Sequence, residues 1–196
     1  MHPLITTTVL LLLTPPSLTL QSLYSFTLPD ITGKEIDFST FKGKTILVVN
    51  VASQCGQTDA HYKSLKRLHD ILSFSPSTPD GGSSFEILAF PSNDFGDQEP
   101  WEEKEIEEFV RGHFKAEFLL FPKTIVKGEE IHPFWKWIAE TSSSPPTWNF
   151  QKYLYSKTGQ FIKSWDSSVS VESIFDVVKA TIDDEETRET NEKIEL

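Results

Sequence analysis

The chain has 196 residues, 38% hydrophobic and 12% aromatic, with one cysteine and a formal net charge of −11. That length suits one domain with a sizeable core. The negative charge argues against nucleic acid and anionic membrane surfaces as partners, and a lone cysteine excludes an internal disulfide.

Residues Leu4 to Leu13 are apolar or threonine, and Pro15 and Pro16 stop the run. The run is far short of the roughly 20 residues that span a bilayer, so no membrane span is expected. It reads as the core of a signal peptide over residues 1–21, with cleavage near Thr19 to Ser22. The rival reading, an N-terminal membrane anchor, needs a longer run. Residues 22–182 make the expected folded domain.

Leu23 to Leu28 and Glu35 to Phe38 read as short strands around the Asp30-Ile31-Thr32-Gly33 turn. Thr45 to Val51 is a near-continuous apolar strand. From Thr58 to Leu72, Tyr62, Leu65, Leu68 and Leu72 recur at helical spacing. On that helix His61 and His69 read as surface residues, with no ligand set around them to suggest zinc. Ser73 to Ser84 is a loop, and Phe85 to Phe90 is a second buried strand. Together these close a parallel, right-handed β-α-β unit. Trp101 to Arg111 is an acidic helix with Ile106, Phe109 and Val110 inward, and Ile131 to Thr141 is an aromatic-rich helix. Gln151 to Tyr155 and Gln160 to Ser164 form a hairpin about Thr158-Gly159. Val171 to Ile182 closes the domain, with Ser170 as N-cap. The order predicts an α/β, thioredoxin-like fold, a mixed central sheet flanked by helices.

The tail, residues 183–196, has seven acids and two bases and is expected to be a solvated, mobile extension. Its Lys193-Ile194-Glu195-Leu196 end resembles the K-D-E-L retrieval signal, with Ile in place of Asp. Leader and tail together predict the secretory pathway, in the endoplasmic-reticulum lumen or secreted.

Cys55 sits where the first buried strand gives way to a helix. A thiol there faces unpaired N–H groups and the positive end of the helix dipole, which favour the nucleophilic thiolate. The bland alternative is a small core side chain. The thioredoxin motif C-x-x-C is matched by Cys55-Gly56-Gln57-Thr58, so its second thiol is a threonine here.

Three separated blocks then carry a resemblance. They are Asn50-Val51-Ala52-Ser53-Gln54-Cys55-Gly56-Gln57-Thr58, the stretch Leu88 to Pro100 with its Phe95-Gly96-Asp97-Gln98-Glu99 core, and Trp148-Asn149-Phe150-Gln151-Lys152-Tyr153-Leu154. Over nearly all of residues 23–182 the chain resembles the glutathione peroxidases, in particular their cysteine-containing branch of the endoplasmic-reticulum lumen. The resemblance implies that fold with the family's insertions. It also implies a thiol-dependent peroxidase that reduces hydrogen peroxide and small organic hydroperoxides. That family surrounds a peroxidatic cysteine or selenocysteine with a Gln, a Trp and an Asn. Carried over, these are Cys55 as nucleophile and Gln98, Trp148 and Asn149 as hydrogen-bond donors to the thiolate and the leaving oxygen. No bound cofactor or metal is implied.

Two departures matter. Many relatives read F-P-C-N-Q-F-G where this chain has Phe90-Pro91-Ser92-Asn93-Asp94-Phe95-Gly96. Ser92 cannot form a disulfide, so the oxidised cysteine needs an outside thiol, either glutathione or a protein disulfide isomerase. Asp94 adds a negative charge near the site in sequence, which would oppose the thiolate if it also lay near in space. Lys152 is the only base in the third block. The segment from Phe121 to Thr147 is shorter than in tetrameric relatives, which predicts a monomer. The alternative to a turnover enzyme is a peroxide sensor or relay that oxidises a partner through a mixed disulfide.

Overall fold

The computed structural model describes residues 21–73 and 83–194, with side chains to Asp183. The expected signal peptide, Gln21 apart, and the last two residues of the retrieval-like end lie outside the described residues. No described helix is long and apolar enough to cross a membrane.

Strand β3 (Thr45–Val51) is buried along its whole length. It pairs in parallel with β4 (Phe85–Pro91), from Thr45 opposite Phe85 to Val51 opposite Pro91. On its other side it pairs antiparallel with β6 (Lys152–Tyr155). With β5 (Leu119–Leu120) and β7 (Phe161–Trp165) the five-stranded order is β5-β4-β3-β6-β7. A separate two-stranded ribbon joins β1 (Thr27–Pro29) to β2 (Glu35–Asp37). The mixed sheet is the one the element order predicts.

Side chains alternate across a strand, so β3 feeds two cores. Leu47, Val49 and Val51 face Tyr62, Leu65 and Leu68 of α1 (Thr58–Leu72) and Val171, Ile174 and Val178 of α4 (Val171–Ile194). Ile46 and Val48 face Phe134, Trp135 and Ile138 of α3 (Pro133–Ser142), with Phe26, Phe38 and Phe41. Ser170 caps α4 by accepting a hydrogen bond from Ser173 N at 3.2 Å.

Four expectations are corrected. The first expected strand opens as a 3-10 turn, Leu23–Ser25. The acidic helix is only α2 (Glu103–Glu107), followed by a π-helical turn, Glu108–His113. Arg111 closes that turn by donating to the carbonyls of Ala116 and Phe118. Past Ile182 the backbone stays helical to Ile194, because residues 183–194 contain no Gly or Pro and include four Glu, a good helix former.

The histidines are the fourth correction. His61 is 6% exposed and lies flat on Phe150, with ring centroids 4.6 Å apart. Its Nε2 donates to Ser167 O at 3.3 Å. Burial, with Lys152 pushing the same way, lowers its pKa to about 4. The His69 side chain is 13% exposed and meets Glu86 Oε1 at 3.0 Å. Both were legible as inward-facing: 61, 65, 68 and 72 fall on one helical stripe, and so do 62, 65, 69 and 72.

Candidate active site

The site is built at the C-terminal end of β3. Beyond Val51 the chain turns through Ala52–Gln57 and enters α1 at Thr58, with Gln57 as N-cap. Thr58 fixes this turn, its hydroxyl donating to Ala52 O (2.6 Å) and its N–H to Cys55 O (3.0 Å). Cys55 therefore stands two residues ahead of the cap, in the turn itself, and is 9% exposed.

The second loop continues β4. Ser92 is fully buried, and its N–H donates to Val51 O at 3.0 Å. Gly96 (φ +69°) and Asp97 (φ +54°) then turn the chain back in the left-handed region. That reversal lets Gln98 O accept from Gln54 N at 2.9 Å. The next residue, Glu99, accepts from Ser53 N (2.9 Å) and Ser53 Oγ (3.0 Å) through Oε2. Two consecutive residues of the Cys55 turn are thus stitched to two consecutive residues of the Gln98 loop.

Asn50, inside β3, positions the third block. Its Nδ2 donates to Trp148 O at 2.9 Å, its Oδ1 accepts from Gln151 N at 2.9 Å, and its carbonyl accepts from Phe150 N at 2.7 Å. Phe150 is thereby held at φ +64°, a costly conformation for a non-glycine residue. Its buried ring, between His61 and Tyr62, helps hold it there. Fully buried Lys152 supports the same turn, donating to Phe150 O (2.7 Å) and Asp166 O (3.1 Å). Burial lowers the Lys152 pKa to about 8.

The predicted donors come together. Asn149, fully buried, donates from Nδ2 to Gln98 Oε1 at 2.9 Å and to Phe95 O at 3.4 Å. A Cβ on Gly96 would lie 3.5 Å from the Trp148 ring and 3.6 Å from Gln98 Cδ, so both side chains rest against that glycine. Trp148 leans on Phe95 with ring centroids 5.9 Å apart and remains 41% exposed.

Asn149 differs from the expected arrangement in one respect. Its amide hydrogens are directed to Gln98 and Phe95, and its Oδ1 is buried without a partner among the described residues. With Oε1 engaged, Gln98 is left its NH₂ group to offer.

Asp94 turns out to be a loop cap. Its carboxylate accepts from Val126 N (2.6 Å) and Lys127 N (3.2 Å). Asp94→Ala is expected to lower stability by about 1–3 kcal/mol, read by urea denaturation, because two backbone donors lose a charged acceptor.

Asn50 and Glu99, whose side chains join these segments, were not singled out by sequence reasoning. A polar Asn within an otherwise apolar strand was the available signal for the first. For Glu99 there was none, since its burial arises only when the two loops meet.

The sequence profile of the glutathione peroxidases matches residues 23–139. Glutathione peroxidase 7 of Bos taurus is 43% identical over 162 residues, covering 83% of each chain. Probable glutathione peroxidase 8 of Mus musculus is 40% identical over 79% of this chain and 70% of its own. Among solved structures, Trgpx in its apo form superposes with a TM-score of 0.65 at 32% identity, over 83% of this chain and 96% of that one. A thioredoxin-family thiol:disulfide interchange protein from Chlorobium tepidum reaches 0.61 at 12% identity, over 82% and 95% of the two chains, a likeness of fold alone. On its sequence and its fold alike, the chain belongs to the glutathione peroxidase family.

Proposed function

We propose that this chain is a thiol-dependent peroxidase that reduces hydrogen peroxide and small organic hydroperoxides through Cys55. The observation that supports it is the stitching of the Cys55 turn to the Gln98 loop, whose amide Asn149 holds beside Trp148. The Cys55 thiolate attacks one peroxide oxygen as the O–O bond breaks. The other oxygen leaves as hydroxide or alkoxide and takes up the proton that Cys55 gave up on ionising, so water or alcohol forms while Cys55 becomes a sulfenic acid. The Gln98 NH₂ and the Trp148 indole N–H are neutral donors that stabilise the anion before and during this step. Asn149 acts through Gln98.

A free thiol with pKa near 8.5 is only about 3% thiolate at pH 7. Full ionisation therefore gains at most about 30-fold, and intrinsic nucleophilicity falls as pKa falls. Any larger acceleration has to come from stabilising the transition state.

The chain's sole cysteine requires an external thiol for regeneration. One thiol displaces water from the sulfenic acid to form a mixed disulfide, and a second releases Cys55. Glutathione and a protein disulfide isomerase are the proposed reductants. The proposed setting is the secretory pathway, and the proposed state is a monomer.

Stopped-flow mixing of the reduced chain with hydrogen peroxide tests the reading. The expected rate constant exceeds that of free cysteine by about 10³-fold or more. A rate no faster than free cysteine overturns the enzyme. Fast oxidation with negligible turnover on glutathione, together with Cys55 adducts to a disulfide isomerase, selects the relay instead.

A further inference from the structure

Glu99 is the one residue of the second loop whose side chain grips the Cys55 turn. It is 0% exposed. Oε2 accepts two hydrogen bonds from Ser53, two residues before Cys55, while Oε1 is buried without a partner among the described residues. Its backbone N–H is fixed by Asn93 Oδ1 at 2.8 Å. A fully buried carboxylate with an orphan oxygen costs stability, because half of its acceptor capacity is desolvated without return. Such a cost is characteristic of groups placed for function.

We infer that Glu99 is a positioning residue for the peroxide reaction, its carboxylate clamping the Ser53–Cys55 turn against the Gln98 loop. This rests on the proposed peroxidase reading. The clamp is charge-assisted, so it is strongest when Glu99 is ionised and slackens when a proton is added. A glutamine keeps the oxygen that accepts from Ser53 but removes the charge.

Burial raises the Glu99 pKa from 4.5 to about 7, against the lowering effects of its Ser53 bonds and of Lys123. The Tyr62 hydroxyl on α1, buried without a partner among the described residues, also senses this carboxylate, as it senses Arg111. Between pH 4.5 and 7 the folded chain holds the Glu99 proton and the unfolded chain does not. Stability from this group is therefore present below about pH 4.5 and is lost as pH rises to about 7. Glu99→Gln escapes that loss.

The test compares the wild-type chain with Glu99→Gln and, as a milder variant that keeps the carboxylate, Ser53→Ala. At pH 8, Glu99→Gln should melt at least about 3 °C higher than wild type, while the two should be closer near pH 4.5. Its second-order rate with hydrogen peroxide should nevertheless fall about tenfold. Ser53→Ala should lose less rate, about threefold, since the Ser53 N–H still reaches Oε2. Alkylation of Cys55 by iodoacetamide, which needs access rather than peroxide chemistry, should speed up in Glu99→Gln as the turn loosens. A gain in stability with a loss of peroxide rate separates positioning from a merely structural role, in which both would move together. Unchanged peroxide and alkylation rates in Glu99→Gln overturn the inference and leave the wild-type peroxidase intact. A wild-type chain inert to peroxide overturns the peroxidase reading, and the alkylation arm still decides whether Glu99 holds the turn.

Discussion

Cys55→Ser is expected to reduce no peroxide above the buffer rate, with or without added thiol. The substitution keeps the size of a small side chain in a nearly buried position, so the fold and the Thr58 N–H to Cys55 O bond should survive. What it removes is the proposed nucleophile. A serine hydroxyl has no accessible anion at neutral pH, and neutral donors such as the Gln98 and Trp148 N–H groups cannot supply one. Because the chain has no other cysteine, nothing else in it can accept oxygen from the peroxide and return it through a sulfenic acid. Stopped-flow mixing gives the rate, and mass spectrometry should find no sulfenic or glutathione adduct. Residual turnover in Cys55→Ser would place the chemistry elsewhere and remove the central role given to this residue. The same experiment separates a catalyst from a binding protein. A chain that acts by docking alone would keep its biological effect as serine.

How far the site was legible depends on how local each signal is. Strand β3 and helix α1 were readable to the residue, because a near-continuous apolar run marks the first and a helical period the second. Strand β5 was not. Its two residues are a strand only because Leu88 and Ala89 of β4 lie beside them. The π-helical turn was invisible for a similar reason, since it ends where Arg111 reaches the carbonyls of a segment that arrives later. Cys55, Gln98, Trp148 and Asn149 could be named because three blocks resembling one family occur in order. Their mutual geometry could not be. The direction of the Asn149 amide, and the burial of Glu99 in an acidic-looking Gln98-Glu99-Pro100 stretch, are set by contacts between loops more than 40 residues apart. Asp94, four residues from Gln98, spends its carboxylate on the backbone of residues 126 and 127.

Asn149→Ala should lower the rate of Cys55 oxidation about 100-fold while costing little stability. Nδ2 of Asn149 holds Gln98 Oε1 at 2.9 Å, and in the proposed reaction this bond determines which end of the Gln98 amide is left for substrate. Without it the amide is free to rotate and to present its carbonyl oxygen, which repels a thiolate or a developing alkoxide. The stability cost is small because Asn149 Oδ1 is already buried without a partner among the described residues, so truncation removes an unsatisfied acceptor along with a hydrogen bond. A net change of about 1 kcal/mol or less is expected by urea denaturation. Asn149→Asp should be worse than Asn149→Ala. A carboxylate at that position draws the Gln98 NH₂ toward itself and adds a charge that opposes the anion. If Asn149 works through Gln98, the two residues form one unit, and their effects are not additive. The double variant Gln98→Ala with Asn149→Ala should then react at about the rate of Gln98→Ala alone. Losses that multiply across the double-mutant cycle would instead make Asn149 an independent donor to the reacting oxygen. That outcome would require its amide to turn away from Gln98 when peroxide binds.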